Sequence, residues 1–150
     1  MNKVILTILF LMSTLAKGAE PIPAQPIPAT PSSLGMSLVD YINLERVMNG
    51  LSALKYSDQL TCAASLQAAH LAYLGLCSHM NARFGPFTQR ASLCGGTANG
   101  EVIACGQKDF MKAVEIWLDS LPHRAIIMDP LAKEIGGAAI AGKWIVLVKK

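Results

Sequence analysis

The stretch W-L-D-S-L-P-H-R-A-I-I, residues 117–127, joins the end of an amphipathic helix to a proline and a histidine. The residue before a proline is disfavoured in the helical region of backbone space, so the helix is predicted to end at Leu121. We therefore expect His123 to lie just past that end. A histidine held there, with Arg124 beside it, can present its ring to a cleft or lie on the surface.

The helix that leads into this stretch has the strongest periodic signal in the chain. Asp109 is its predicted N-cap. Apolar residues then recur at i, i+3, i+4, i+7, i+8 and i+11, at Phe110, Ala113, Val114, Trp117, Leu118 and Leu121. This spacing is typical of a helix that buries one face, so we expect Trp117 to belong to the core.

Two more helices are predicted nearer the N-terminus. The first begins at Ser37, with Asp40 completing an approximate capping box, and ends near Gly50. Its apolar residues with helical spacing are Leu44, Val47, Met48 and Leu51. The second helix begins at Ser57 and ends at Gly75. Its stripe is rich in alanine, which implies close approach to another element, and consists of Leu60, Ala63, Ala64, Gln67, Ala68 and Leu71.

Three extended segments complete the predicted fold, with a short helical turn around residues 88–93. Residues 100–106 form a short apolar run bounded by glycines. Residues 135–140 and 143–148 indicate a hairpin. Its second strand is apolar on both faces, so we expect it to be central and covered on both sides. The order α-α-β-α-β-β predicts an α+β fold, a three-layer sandwich around a small sheet.

The N-terminal residues indicate export. A lysine followed by an apolar run and small residues predicts a signal peptide over residues 1–19; an uncleaved membrane anchor is the alternative, but the run is short for a span. Residues 20–35 hold five of the eight prolines and predict a Pro-rich linker. The folded domain is then expected over residues 36–150.

Charge and cysteine content narrow the class of protein. Removal of Lys3 and Lys17 with the signal peptide leaves 11 basic and 10 acidic residues, which gives no electrostatic case for nucleic-acid binding. The four cysteines predict two disulfides in an oxidising compartment. The chain contains no C-x-x-C pair, so the cysteines do not indicate a metal site. Three connectivities are possible; one pairing, Cys62 with Cys105 and Cys77 with Cys94, would tie the second helix to a strand and fix the loop between them.

Three candidate metal or cleft residues stand at element boundaries, His79, Glu101 and His123, each 22 residues from the next. Two imidazoles and a carboxylate can hold zinc with an open position, or they can form a hydrogen-bonded polar cluster. His70 lies opposite the alanine stripe and is interpreted as structural or surface-exposed. Near the histidines, Ser78 and Ser120 are possible nucleophiles, although such serines are more often cap or turn residues.

These residues, in this order, resemble the CAP superfamily of cysteine-rich secretory, antigen 5 and pathogenesis-related 1 proteins (SCP domain), in its short bacterial branch. The resemblance covers about residues 36–148. Its pieces are Asn43-Leu44-Glu45-Arg46 with Gly50-Leu51, Leu54 with Leu60 to Ala64, Ser78-His79, Arg90, Gly100-Glu101, Trp117 to Arg124, and Ile135-Gly136. Two departures are Val102, where the family has asparagine, and Ser120, where eukaryotic members have a second glutamate.

The resemblance implies an α-β-α sandwich of the CAP type with a mostly antiparallel sheet. It also implies a cleft lined by His79, Glu101, His123 and Ser120, with the first three as candidate zinc ligands. The expected protein is a secreted or periplasmic monomer that binds a small molecule, a lipid or a divalent metal, and is not integral to the membrane once the signal is removed. The alternatives are a zinc-dependent, peptidase-like hydrolase with Glu101 as base, and a cell-envelope interaction protein. No catalytic residue is assigned.

Overall fold

A computed structural model describes residues 36–150 of the chain. The predicted signal peptide (1–19) and linker (20–35) lie outside the described residues. Within residues 36–150, no helix is both long and apolar enough to cross a membrane. The elements, in chain order, are α1 (Leu38–Met48), β1 (Lys55–Tyr56), α2 (Asp58–Leu74), α3 (Phe87–Leu93), β2 (Gly100–Cys105), α4 (Phe110–Asp119), α5 (Leu121–Ile127), β3 (Glu134–Ile140) and β4 (Lys143–Lys149).

The sheet has the strand order β1-β3-β4-β2. β1 pairs with β3 in parallel, and the other two pairs are antiparallel. As predicted, β4 is central and both of its faces are buried. Val146 and Val148 pack with α1, α4 and α5, while Ile145 and Leu147 pack with α2 and α3. The three-layer α-β-α sandwich with a mostly antiparallel sheet is therefore confirmed.

Helix α2 forms as its sequence predicts. The Ser57 hydroxyl caps its first turn, and Gly75 ends it in the left-handed conformation. Every residue of the predicted stripe is buried. The small alanine side chains let the helix lie directly on β3, where a Cβ built on Gly136 would be 2.3 Å from the backbone nitrogen of Thr61.

The predicted buried face of α1 is wrong. Leu44, Val47 and Met48 are exposed. The residues that α1 buries are Leu38, Val39, Ile42 and Arg46. Apolar periodicity alone missed this face because it contains an arginine, whose guanidinium is satisfied by backbone carbonyls inside the protein.

The end of α4 also differs from the prediction. Ser120 has extended backbone angles, and a new short helix, α5, begins at Leu121. His123 therefore lies in the first turn of α5 and not past a helix end, because proline is tolerated in the first turn of a helix. Leu121 leaves the α4 stripe and is 81% exposed, whereas Trp117 is fully buried, as predicted.

Three elements were absent from the predicted order, β1, α3 and α5, although α3 lies where a short helical turn was expected. β1 has only two residues, Lys55 and Tyr56, and both are exposed. Such a segment has no alternation of burial to reveal it. It becomes a strand because its backbone adds to the edge of β3.

Both disulfides form, but the predicted pairing is wrong. Cys62 pairs with Cys94, and Cys77 pairs with Cys105, with Cα atoms 6.0 and 6.1 Å apart. The reason is that α3 packs along α2, so Cys94 at the end of α3 reaches the first turns of α2. The segment after α2 then runs to the end of β2, where Cys105 lies.

Substitution of Gly136 by alanine should strongly destabilise the protein, because the new Cβ would meet the α2 backbone, which cannot move as a side chain can. We expect a loss of about 3 kcal/mol or more in the free energy of unfolding. The neighbouring Gly137 is the matched control, since its Cβ would meet only side chains at 3.3 Å or more. Gly137→Ala should cost about 1 kcal/mol or less. Urea unfolding measures both variants, and equal losses would contradict the close contact.

Acid should weaken the start of α1. The Ser37 hydroxyl and backbone N–H donate to the Asp40 carboxylate at 2.7 and 2.9 Å, which holds the pKa of Asp40 below its usual range. Stabilisation from such a group is present above its unfolded pKa of about 3.9 and is lost as pH falls through the folded value. The difference in unfolding free energy between wild type and Asp40→Asn should shrink below about pH 4. Urea unfolding at several pH values tests this, and a pH-independent difference would contradict it.

Candidate functional site

A buried ion pair forms the base of the candidate site. Glu101 lies second in β2 and Arg90 lies in α3, and both side chains are fully buried. The Arg90 Nη2 donates to Glu101 Oε2. A buried carboxylate is tolerated when an opposite charge and hydrogen bonds compensate for its lost hydration. This pair therefore fixes α3 against the edge strand β2.

The same guanidinium holds the chain that carries the histidine. Arg90 Nη1 donates to the carbonyl oxygens of Gly85 at 2.8 Å and of His79 at 3.3 Å. Arg90 thus holds the segment between α2 and α3 at two points, His79 and Gly85. Its planar group of donors is suited to this, because it can bond a carboxylate and carbonyls at once.

His79 is the exposed member of the site. Its Nδ1 lies 2.9 Å from Glu101 Oε1, and its side chain is 57% exposed. An ionised carboxylate only accepts hydrogen bonds, so Nδ1–H donates to it, and in the neutral ring Nε2 is then left as an acceptor. The order Arg90, Glu101, His79 therefore runs from the core to solvent and fixes the direction of the imidazole.

A second buried network supports the loop that follows His79. Asn81 is buried, and its Nδ2 donates to Gln67 Oε1 at 3.0 Å, while its Oδ1 accepts from the backbone nitrogens of Arg83 and Phe84. Gln67 Nε2 in turn donates to the Ser78 carbonyl. Ser78, directly before His79, and Asn81, two residues after it, are thus both held to α2.

His123 is held in a separate pair. Its Nδ1 lies 2.9 Å from Ser120 Oγ, within the first turn of α5. No hydrogen bond joins it to His79 or Glu101 in the described part of the chain. A shared cleft for His79, Glu101 and His123 therefore stays a prediction, whereas the contact between His79 and Glu101 is present.

The other candidates have local roles. The Ser78 hydroxyl accepts from the Met80 nitrogen at 3.0 Å, as a turn residue does. His70 Nε2 accepts from the Ala82 nitrogen at 3.3 Å, in agreement with its structural interpretation. Ser120 has a histidine nitrogen within reach, but among residues 36–150 no acid orients that histidine as a third partner.

Zinc binding depends on how many ligand atoms the predicted residues leave free. Catalytic zinc sites use three protein ligands. Both oxygens of Glu101 already accept hydrogen bonds, from Arg90 and His79. Over residues 36–150, no three His, Cys, Asp or Glu side chains are grouped to hold a metal ion. Zinc binding therefore stays a prediction. The Nε2 atoms of His79 and His123 are the nitrogens of the predicted set that form no hydrogen bond among the described residues.

The sequence did not identify Arg90 and Gln67 as the buried residues that support this site. Arg90 was only a motif position, and nothing in its surroundings reveals that it is buried. Gln67 did carry a signal, since a polar residue on a buried stripe must have a hydrogen-bond partner. The identity of that partner, Asn81, depends on a contact across 14 residues.

The chain is similar to known proteins in both sequence and fold. Residues 39–143 match the sequence profile of the cysteine-rich secretory protein family, CAP. The chain belongs to the CAP family. Its CAP domain is 29% identical over 111 residues to the uncharacterized protein YkwD of Bacillus subtilis. That match covers 73% of this chain and 43% of YkwD.

Two solved structures share the fold of this CAP domain. An extracellular protein of Bacillus anthracis that contains an SCP domain has a TM-score of 0.70 and 21% identity, over 75% of this chain and 39% of that protein. An outer surface protein of Borrelia burgdorferi has a TM-score of 0.63 and 24% identity, over 75% of this chain and 90% of that protein. The chain thus spans less than half of the two Bacillus proteins.

Replacing Arg90 by methionine should destabilise the CAP domain by about 3–5 kcal/mol, because Glu101 would keep a buried charge without its cation. Arg83→Met is the matched control, since Arg83 is exposed and its guanidinium lies over the Phe84 ring, 5.1 Å from the centroid. It should cost about 1 kcal/mol or less. The double variant Arg90→Met with Glu101→Leu should recover part of the loss. Chemical denaturation measures all three, and equal costs for Arg90→Met and Arg83→Met would contradict the role of the pair.

Proposed function

We propose that this CAP domain is an exported binding module whose ligand contacts the exposed imidazole of His79. Two disulfides among the described residues suit an oxidising compartment. The structural relatives described as extracellular or outer-surface proteins support the same location. The location and the ligand are separate parts of the proposal. The disulfides and the relatives support the location, whereas the contacts of His79 support the ligand.

One observation carries the proposal, the fixed and exposed position of His79. Exposed side chains ordinarily move among rotamers, and a ligand that orders them loses affinity. Here the hydrogen bond to buried Glu101 orders the imidazole in advance, and Arg90 holds its backbone carbonyl. Nε2 can then accept a hydrogen bond from a ligand or bind a divalent cation, with Glu101 acting through Nδ1.

The surroundings of His79 indicate what kind of ligand fits. Leu76, three residues before it, and Met80, directly after it, are both exposed apolar side chains. A small molecule or lipid with both a polar group and an apolar part would find complementary contacts there. A divalent cation bound by imidazole nitrogens, with water completing its coordination, is the other form of the proposal.

The geometry favours an orienting role for Glu101 over a role as general base. A base must accept a proton from a bound water, but its oxygens are already taken by Arg90 and His79. No observation favours a second function, and no catalytic residue is proposed.

Calorimetric titration with Zn²⁺ tests the cation form of the proposal. His79→Ala should abolish binding, because it removes the exposed nitrogen, while the fold stays intact because the side chain lies outside the core. The chain has three histidines, and His70→Ala is the matched control that should bind as wild type does. His123→Ala reports on the predicted shared cleft, since weaker binding would place His123 at the same ion.

Equal affinity of wild type and His79→Ala would remove His79 from any zinc site. If wild type binds no zinc, the cation form fails and the small-molecule form is tested by nuclear magnetic resonance. Ligands with polar and apolar parts should then shift the His79 ring signals and not those of His70. A ligand that binds without moving the His79 signals would contradict the proposal.

A further inference from the structure

A concave region lies at the opposite edge of the sheet from His79. It has a volume of about 580 Å³ and is formed by Ser52, Ala53, Lys55 and residues 130–133, with Lys150 at its side. It adjoins β1, whereas Glu101 lies in β2 at the other edge. Three strand spacings, or about 14 Å, separate those edges. The region is therefore not part of the site described above.

The charges around this region are unbalanced. Three lysines line it, Lys55, Lys133 and Lys150. Lys150 pairs with Asp129 at 2.8 Å. Neither Lys55 nor Lys133 forms an ion pair within residues 36–150. The nearby Glu134, beside Lys55 in the strand register, is paired with Lys149 at 3.0 Å. Of the three ammonium groups that line the region, one is paired with a carboxylate, which leaves an excess of two positive side-chain charges.

A buried cation adds to this excess. Arg46 is 1% exposed, and its bonds all go to backbone carbonyls, at Ser52, Ile127 and Asp129. Burial lowers the pKa of the Arg46 guanidinium, and the charge of Asp129 opposes that shift. An arginine nevertheless stays protonated in proteins. Its charge therefore remains behind the concave surface, where water screens it less than it screens exposed lysines.

Arg46 also fixes the shape of the region. It bonds Ser52, which lines one side, and Asp129, which directly precedes the other side. The backbone nitrogen of Lys55 donates to the Lys133 carbonyl at 2.8 Å. The two sides that carry the lysines are thus held together before any ligand arrives, which reduces the ordering that binding requires.

We propose that this region binds a phosphate ester. The two lysines without an ion pair match the two negative charges of a phosphate dianion, and the buried Arg46 adds to the attraction. Lysine ammonium groups are common phosphate ligands. The volume exceeds that of one phosphate group, which leaves space for the body of the ester. Pro130 and Leu131, the latter 66% exposed, provide an apolar contact for that body.

The probe is phenyl phosphate, titrated into the intact CAP domain and followed by backbone amide shifts in nuclear magnetic resonance. Shifts should concentrate at residues 52–55 and 130–133 and not around His79. The double variant Lys55→Gln with Lys133→Gln should bind at least about tenfold more weakly, because two of the three ammonium groups are removed. Raising the salt concentration should weaken wild-type binding.

The matched control neutralises two lysines at the far end of β4, Lys108→Gln with Lys143→Gln. This variant has the same net charge as the first, but its changes lie about 20 Å along the sheet from Lys150. It should bind phenyl phosphate within about twofold of wild type, since screening removes most of the effect at that distance. An equal loss in both double variants would overturn the proposal, because it would show attraction by net charge only.

Binding to vesicles distinguishes a lipid headgroup from a soluble phosphate ester as the ligand. Binding to vesicles that contain phosphatidic acid, lost in Lys55→Gln with Lys133→Gln and absent for phosphatidylcholine, would support a lipid headgroup as the ligand. Binding to phenyl phosphate alone would support a soluble ester. Amide shifts that are absent in wild type at millimolar phenyl phosphate, or that lie elsewhere on the surface, would overturn the proposal.

Discussion

The hydrogen bonds of the buried Arg90 guanidinium are the constraint on which the rest of the site depends. Burying a charge costs several kcal/mol unless opposite charge and hydrogen bonds replace the lost water. Glu101 supplies the opposite charge, and the carbonyls of His79 and Gly85 accept further bonds. Three separate pieces of chain, α3, β2 and the segment after α2, are thus brought to one point. Movement of any one of them would leave a charge or a carbonyl buried without a partner.

The disulfides and the α2 packing act on the same pieces of chain. Cys77 lies two residues before His79 and is bonded to Cys105, which ends the strand that carries Glu101. The histidine and its carboxylate partner are therefore joined by a short covalent path as well as by a hydrogen bond. The close contact of α2 with β3 at Gly136 sets the position of that helix, and so of the loop that follows it. Covalent bonds, close packing and the ion pair together place one exposed imidazole.

The two edges of the sheet are built in related ways. At each edge a buried arginine donates to the carbonyls of loops, Arg90 beside β2 and Arg46 beside β1. Backbone carbonyls in loops need donors once they are buried, and one guanidinium supplies several. The edges differ in charge, because Arg90 has a carboxylate partner, whereas Arg46 bonds only carbonyls. One edge therefore presents a histidine oriented by a carboxylate, and the other presents an excess of positive charge.

The sequence by itself determined the features that depend on local spacing. The caps at Ser37 and Ser57, the stripe of α2, the burial of Trp117 and the central position of β4 all follow from periods of 3.6 or 2 residues. The element order and the apolar central strand predicted the layer architecture, and the resemblance carried by the ordered motifs supplied the contact between His79 and Glu101. Tertiary structure decided what local spacing does not encode. The disulfide pairing follows from which helices pack together, and the buried face of α1 includes Arg46 because carbonyls distant in sequence accept its hydrogen bonds. The two-residue strand β1 exists only because β3 offers an edge. His123 is helical because the extended backbone at Ser120 ends α4 before Pro122, and a new helix begins at Leu121. Except at Ser120, the deciding partner in each case lies far along the chain, so its effect appears only when the chain is folded.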